Sequence, residues 1–125
     1  MIAKYFKKLE GSIEKYSHII EDYILNKQIF TKEKGTIDGE VFFTDESKLD
    51  FLEAVNTNKQ DKEKYSYHYM NNKNELIFRY DNAKHHRQIK SFPHHKHTSK
   101  GVIESSEAKI EKVLNEIENH IINKK

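Results

Sequence analysis

The sequence predicts an α+β fold: a mainly antiparallel sheet of about five strands, with an N-terminal and a C-terminal helix packed on one face. Three observations predict it. Apolar residues recur at helical spacing only near the two ends, two-residue alternation fills the middle, and the connections there are short enough for hairpins. With 125 residues the chain is expected to make one domain over 1–125. At 35% hydrophobic against 34% charged residues, its core is thin and rests on seven Phe, seven Tyr and fourteen Ile.

Ile2, Tyr5, Phe6, Leu9, Ile13 and Tyr16 form one helical stripe, which Gly11 weakens by about 1 kcal/mol relative to Ala. From Ile19 to Phe30 the β-branched and aromatic content rises and a strand is expected. Ile37, Gly39, Val41 and Phe43 alternate with Thr36, Asp38, Glu40 and Phe42, between turn signals at Lys34-Gly35 and Thr44-Asp45-Glu46-Ser47. Leu49, Phe51 and Leu52 lead a third extended piece to Val55. The polar run Asn56 to Lys64 is a loop in which Asp61-Lys62-Glu63-Lys64 reads as solvated. Tyr65, Tyr67 and Tyr69 share a face, Asn71 to Asn74 turn the chain, and Leu76 to Tyr80 return it as a hairpin. No periodicity follows through Phe92-Pro93, and the proline disfavours a helix there, so this stretch is predicted as a long loop. Ile110, Val113, Leu114, Ile117 and Ile121 make the second helical stripe, with Ser105 or Ser106 as N-cap. Glu104 and Glu107 suit its start, and Lys124 and Lys125 its end. The sheet face away from the helices is expected to be half exposed and lined by Tyr, His and Arg.

The charges are unevenly spread. Asn82 to Ile103 contains no Asp or Glu but holds Lys84, Arg87, Lys90, Lys96 and Lys100, a formal +5; with +2 overall, the rest of the chain carries −3. Five of the eight histidines lie in the same window, and the only two arginines, Arg79 and Arg87, bracket its first His pair. Such a field attracts phosphates or acidic surfaces. The absence of cysteine excludes disulfides, thiolate nucleophiles and Cys-ligated zinc. Among four glycines there is no phosphate-binding Gly loop and no nucleophile elbow, and no paired-carboxylate motif is present, so kinase, α/β-hydrolase and glycosidase chemistry lack a basis. No run approaches the roughly 18 apolar residues of a membrane span, and no apolar signal core follows Met1-Ile2-Ala3-Lys4. A soluble, cytoplasmic protein without a membrane partner is expected.

Chemistry concentrates in two strings, Phe78-Arg79-Tyr80-Asp81-Asn82-Ala83-Lys84-His85-His86 and Phe92-Pro93-His94-His95-Lys96-His97. Together with Tyr65-Ser66-Tyr67-His68-Tyr69 before them, these resemble the signature of the TumE family, small bacterial and archaeal toxins of toxin–antitoxin pairs. The similarity is specific from Tyr65 to His97 and general elsewhere. It implies a toxin neutralised by a cognate antitoxin, a small helix-turn-helix-type protein encoded alongside. The family pattern has a proline soon after the His pair. Here Arg87 and Gln88 follow instead, which adds a cation and changes the turn.

The leading expectation from the residues is a metal-independent ribonuclease with no cofactor. Cleavage of RNA by its own 2′-hydroxyl needs a base, an acid and a cation to hold the phosphorane charge. His85, His86, His94, His95 and His97 suit the first two tasks and Arg79 the third. Arg87, Lys84 and Lys96 are expected to bind the nucleic acid, with Tyr67, Tyr69 and Tyr80 stacking a base or donating a hydrogen bond. One alternative is a metal-dependent nuclease in which His94 and His97, or His95 and His97, share a cation completed by another His or Asp81. The surrounding +5 charge speaks against it. The other is a non-catalytic protein whose basic, His-rich surface binds nucleic acid or an antitoxin. An exposed sheet edge also permits a homodimer.

Overall fold

The Ile2, Phe6, Leu9 and Ile13 stripe winds into helix α1 (Ile2–Glu14), and Ile110, Val113, Leu114, Ile117 and Ile121 into helix α2 (Ile110–Asn123). Each stripe is buried, and burying a side chain of this size contributes about 1.5–3 kcal/mol. The computed structural model describes residues 1–124. Between the helices run seven strands: β1 (Ile20–Ile29), β2 (Lys34–Phe43), β3 (Lys48–Asn56), β4 (Lys64–Met70), β5 (Leu76–Asp81), β6 (His95–Thr98) and β7 (Gly101–Glu104). They form one antiparallel sheet in sequence order.

Both helices lie on the same face, as expected. Tyr5 of α1 reaches Glu53 of β3, Glu116 of α2 reaches Tyr80 of β5, and Ser12 joins the two helices through Glu111. Odd-numbered residues of β2, β3 and β4 point at the helices: Ile37, Val41, Phe43, Leu49, Phe51, Tyr65, Tyr67 and Tyr69 are all buried there. Gly35 allows α1 to sit close, because a Cβ at that position would lie 2.6 Å from the Gln28 carbonyl oxygen and 3.0 Å from Ile2 Cγ1.

Four expectations need correction. The sheet has seven strands, not about five, because the long loop predicted through Phe92-Pro93 gives way to the β6–β7 hairpin, which was not expected. Thr98 and Gly101 close that hairpin through Thr98 Oγ1 and the Gly101 carbonyl, with Gly101 at φ 126°, a region that favours glycine. Helix α2 starts at Ile110 with Lys109 as N-cap, not at Ser105 or Ser106. The preceding residues are held out of the helix by Lys62, whose backbone N–H donates to Glu107 and whose ammonium donates to the Ala108 carbonyl. Lys62 is therefore buried and paired, not solvated. The tyrosines of β4 and β5 face the helices rather than the open face. Lys125, expected at the end of α2, lies outside the described residues. Among the described residues no helix is long and apolar enough to cross a membrane.

Candidate functional site

Strand β5 alternates strictly. Phe78 and Tyr80 turn into the core, which sends Arg79 and Asp81 to the face opposite the helices. Antiparallel pairing with β6 then sets Arg79 against His97 and Asp81 against His95. Residues paired in this way share a face, so two adjacent strands alone assemble a guanidinium, a carboxylate and two imidazoles. On β4, His68 pairs with Arg79 on that same face, and burial followed by the Arg79 charge holds its imidazole below the ordinary histidine range.

The segment 82–94 returns across this face as a series of tight turns, closed by His85 N–H to Ala83, Ile89 N–H to His86, Phe92 N–H to Ile89 and His94 N–H to Ser91. Asn82 anchors its start: its side chain accepts from Tyr65 N–H and donates to the Glu63 carbonyl. The turns bring His86 edge-on to both strand histidines, with ring centroids 5.0 Å from His95 and 5.7 Å from His97. Covered in this way, His95 is only 2% exposed, whereas the His97 side chain keeps 29% and Arg79 41% of their surface.

Asp81 is the hub. Its Oδ1 lies 2.8 Å from His95 Nε2 and accepts the Ala83 N–H at 2.9 Å; its Oδ2 accepts from Arg79 Nε at 2.9 Å and lies 3.4 Å from His97 Nε2. His95 Nε2 and His97 Nε2 are 3.1 Å apart, and His95 Nδ1 lies 2.9 Å from the Pro93 carbonyl oxygen. Burial holds the His97 imidazole below its ordinary range, against the pull of Asp81 and with His95, Arg79 and His86 adding to the effect. One ring nitrogen from each of His86, His95 and His97 falls within 4.8 Å of the others, close enough to share a cation. Asp61, His94 and Glu107 meet the same spacing, but there Glu107 is already paired with Lys62, and His94 Nδ1 with the Tyr65 hydroxyl.

The structure thus joins His86, His95, His97 and Arg79 from the expected set and separates the others. His94, one residue out of phase with His95, stacks on Tyr65 at the helix side. His85 and Lys84 are exposed, and Arg87 lies over the Phe92 ring. Lys96 points toward α2, 2.7 Å from Glu116 and over the Phe78 and Tyr80 rings, so it does not share the histidine face. Tyr67, Tyr69 and Tyr80 are buried, donating to Glu53, sharing a hydrogen bond with Ser47, and donating to Glu116, respectively. Their rings offer a base no open surface on which to stack. Sequence reasoning weighed Asp81 only as a metal ligand and missed it as the organiser. The usable signal was its i+2 spacing from Arg79, opposite the apolar pair Phe78 and Tyr80.

The cluster draws on both strings singled out in the sequence, and the model of a family described as Toxin TumE matches residues 9–121. The chain belongs to the TumE toxin family. The match spans nearly the whole chain, from within α1 to the last turn of α2. No curated protein and no solved structure matches the chain. Arg79, Asp81, His86, His95 and His97, which build the cluster, all lie within the matched residues.

Proposed function

We propose that this TumE-family chain is a toxin that acts on RNA as an endoribonuclease, and that the cluster around Asp81 is its reaction centre. The supporting observation is the convergence of Asp81, His95, His97 and His86 beside Arg79, with one buried end and one end open to solvent. The buried end fixes the geometry. At the open end, the free N–H groups of Arg79 face a phosphate and hold the charge that develops on it.

In the proposed reaction the 2′-hydroxyl oxygen attacks the adjacent phosphorus and gives up its proton at the ring nitrogens, directly or through a water held there. The bond to the 5′-oxygen breaks, and that oxygen takes a proton from the same site. The products are a 2′,3′-cyclic phosphate and a 5′-hydroxyl, so atoms and charge balance without an oxidant or reductant. His86, His97 and Arg79 are the residues within reach of substrate. Asp81 and His95 position them. Lys84, Arg87, Lys90 and Lys100, exposed in the same acid-free segment, attract the RNA backbone. A cognate antitoxin, in this reading, covers the same basic surface.

The test is induced expression with and without the neighbouring gene product, followed by sequencing of RNA ends. Toxicity with new 5′-hydroxyl ends at defined positions, both suppressed by the neighbour, supports the reading. Toxicity with intact RNA and stoichiometric, salt-sensitive RNA binding supports inhibition by occupancy instead.

A further inference from the structure

We infer that His86, His95 and His97, with the Asp81 carboxylate beside them, form a binding site for one divalent transition-metal ion of the zinc class. Binding of the ion stands on geometry alone; only its part in RNA cleavage rests on the ribonuclease reading above.

A carbonyl oxygen can only accept, so the 2.9 Å contact between His95 Nδ1 and the Pro93 carbonyl puts the hydrogen on Nδ1. A neutral His95 then presents a bare lone pair at Nε2. That lone pair faces the Asp81 carboxylate at 2.8 Å and, at 3.1 Å, His97 Nε2, which carries a second lone pair when the His97 hydrogen is on Nδ1. With both rings in that tautomer, one metal ion satisfies all of these contacts together.

The spacing fits an ion. Zinc binds imidazole nitrogen at about 2.0–2.1 Å, which sets neighbouring ligand atoms roughly 3.0–3.4 Å apart in tetrahedral or octahedral arrangements. The His95–His97 separation is 3.1 Å and His97 lies 3.4 Å from Asp81 Oδ2, both in that range; His95 lies 2.8 Å from the other carboxylate oxygen, Oδ1, a little closer, and His86 brings the third ring nitrogen within 4.8 Å of the other two. The support around the ligands is also of the right kind. A backbone carbonyl on the far nitrogen fixes the tautomer and orientation of His95, a common device for ligating histidines. Three imidazoles select zinc, cobalt, nickel or copper over magnesium and calcium, which prefer oxygen.

Two features lessen the charge objection raised by the acid-free segment. Asp81 lies outside that segment in sequence but inside the cluster, and Lys96, one of the five cations, is paired with Glu116 on the opposite face. Because His86 and His97 remain partly exposed, the ion keeps a side open to water or a phosphate oxygen. In that state the cleavage is metal-assisted, in place of the metal-free mechanism favoured by the sequence.

The experiment uses the full chain without a His tag. Zinc content is measured after incubation with Zn²⁺ and gel filtration, and Co²⁺ is titrated in the visible range. The expected result is about one ion per chain, with cobalt d–d bands that Zn²⁺ abolishes. His86→Ala, His95→Ala and His97→Ala each weaken binding on the order of 100-fold, whereas His18→Ala, remote from the cluster, binds like the parent. His86 lies in the loop, so its variant keeps the comparison valid even where His95→Ala unfolds by circular dichroism. Trace metal only in the parent chain, or undiminished binding in His86→Ala and His97→Ala, overturns the inference. RNA cleavage is scored separately on the same samples. A chain that holds the ion but leaves RNA intact removes the ribonuclease reading and keeps the site, and a chain that cuts RNA without bound ion does the reverse.

Discussion

Arg79 and His97 face each other across the β5–β6 pair, and both lean on one atom, Asp81 Oδ2, at 2.9 and 3.4 Å. The guanidinium is thereby aimed along the imidazole cluster while 41% of its side chain stays open. Arg79→Ala is expected to lower RNA cleavage roughly 100-fold or more and to leave the melting temperature nearly unchanged. Arg79→Lys should restore little, because an ammonium cannot keep the Nε contact to Asp81 and still present further N–H groups outward. Single-turnover cleavage assays check both; full activity in Arg79→Ala contradicts the phosphate-holding role.

His85 and His86 are neighbours in the chain with different surroundings. His86 lies against His95 and His97, while His85 is exposed outside the cluster. His86→Ala should abolish growth inhibition, and His85→Ala should leave it within about twofold, as is usual for surface substitutions remote from a site. Growth assays at matched protein levels decide; equal loss in both would mean that the loop adopts another arrangement when it works.

The far side of the sheet holds a separate buried group. Glu53, 1% exposed, accepts from the Tyr5 and Tyr67 hydroxyls at 2.5 Å each. Tyr67→Phe removes one of two charge-assisted bonds and should cost about 1.5–3 kcal/mol in urea unfolding. Toxicity should persist once folding is secured, since Glu53 faces the helices. A variant as stable as the parent would contradict the assignment.

Alkaline pH should unfold the protein through its tyrosines. Burial lifts the hydroxyls of Tyr5, Tyr65, Tyr67 and Tyr80 above the ordinary phenol range and raises Tyr69 to about 12. In the unfolded chain each ionises near about pH 10. Raised folded values mean that this stability is complete below about pH 10 and is lost as pH climbs toward the folded values. Phenolate absorbance from these rings should therefore rise together with loss of the circular dichroism signal. Gradual ionisation around pH 10 with the fold intact would contradict their burial.

The two end helices and strands β2 to β5 were legible in their apolar spacing and turn signals, and β1 in its β-branched and aromatic content. Strand β6 was not, since His95-Lys96-His97-Thr98 shows no apolar alternation: its inward residue, Lys96, meets the carboxylate of Glu116 where a hydrophobic contact would be expected. That omission propagated to the site. Once β6 is a strand, parity sends His95 and His97 to one face and Lys96 to the other, and His94 drops out of the cluster. The Tyr65, Tyr67 and Tyr69 alternation was read correctly as a shared face but assigned to the open side. Hydroxyls with buried partners such as Glu53 and Ser47 let these rings lie inside, and those partners come from β3 and the turn before it, which local pattern does not reveal. The acid-free, His-rich composition marked the segment that supplies His86, His95 and His97 to the cluster, while Asp81 at its border was needed to organise it.

The most direct measurement is turnover of RNA by catalytic amounts of the purified chain, comparing the parent with His97→Ala and mapping the ends produced. The account predicts many cuts per protein molecule at defined sites, with 2′,3′-cyclic phosphate and 5′-hydroxyl ends, and their loss in His97→Ala. Undegraded RNA with the active parent protein, or equal cleavage by His97→Ala, would contradict it.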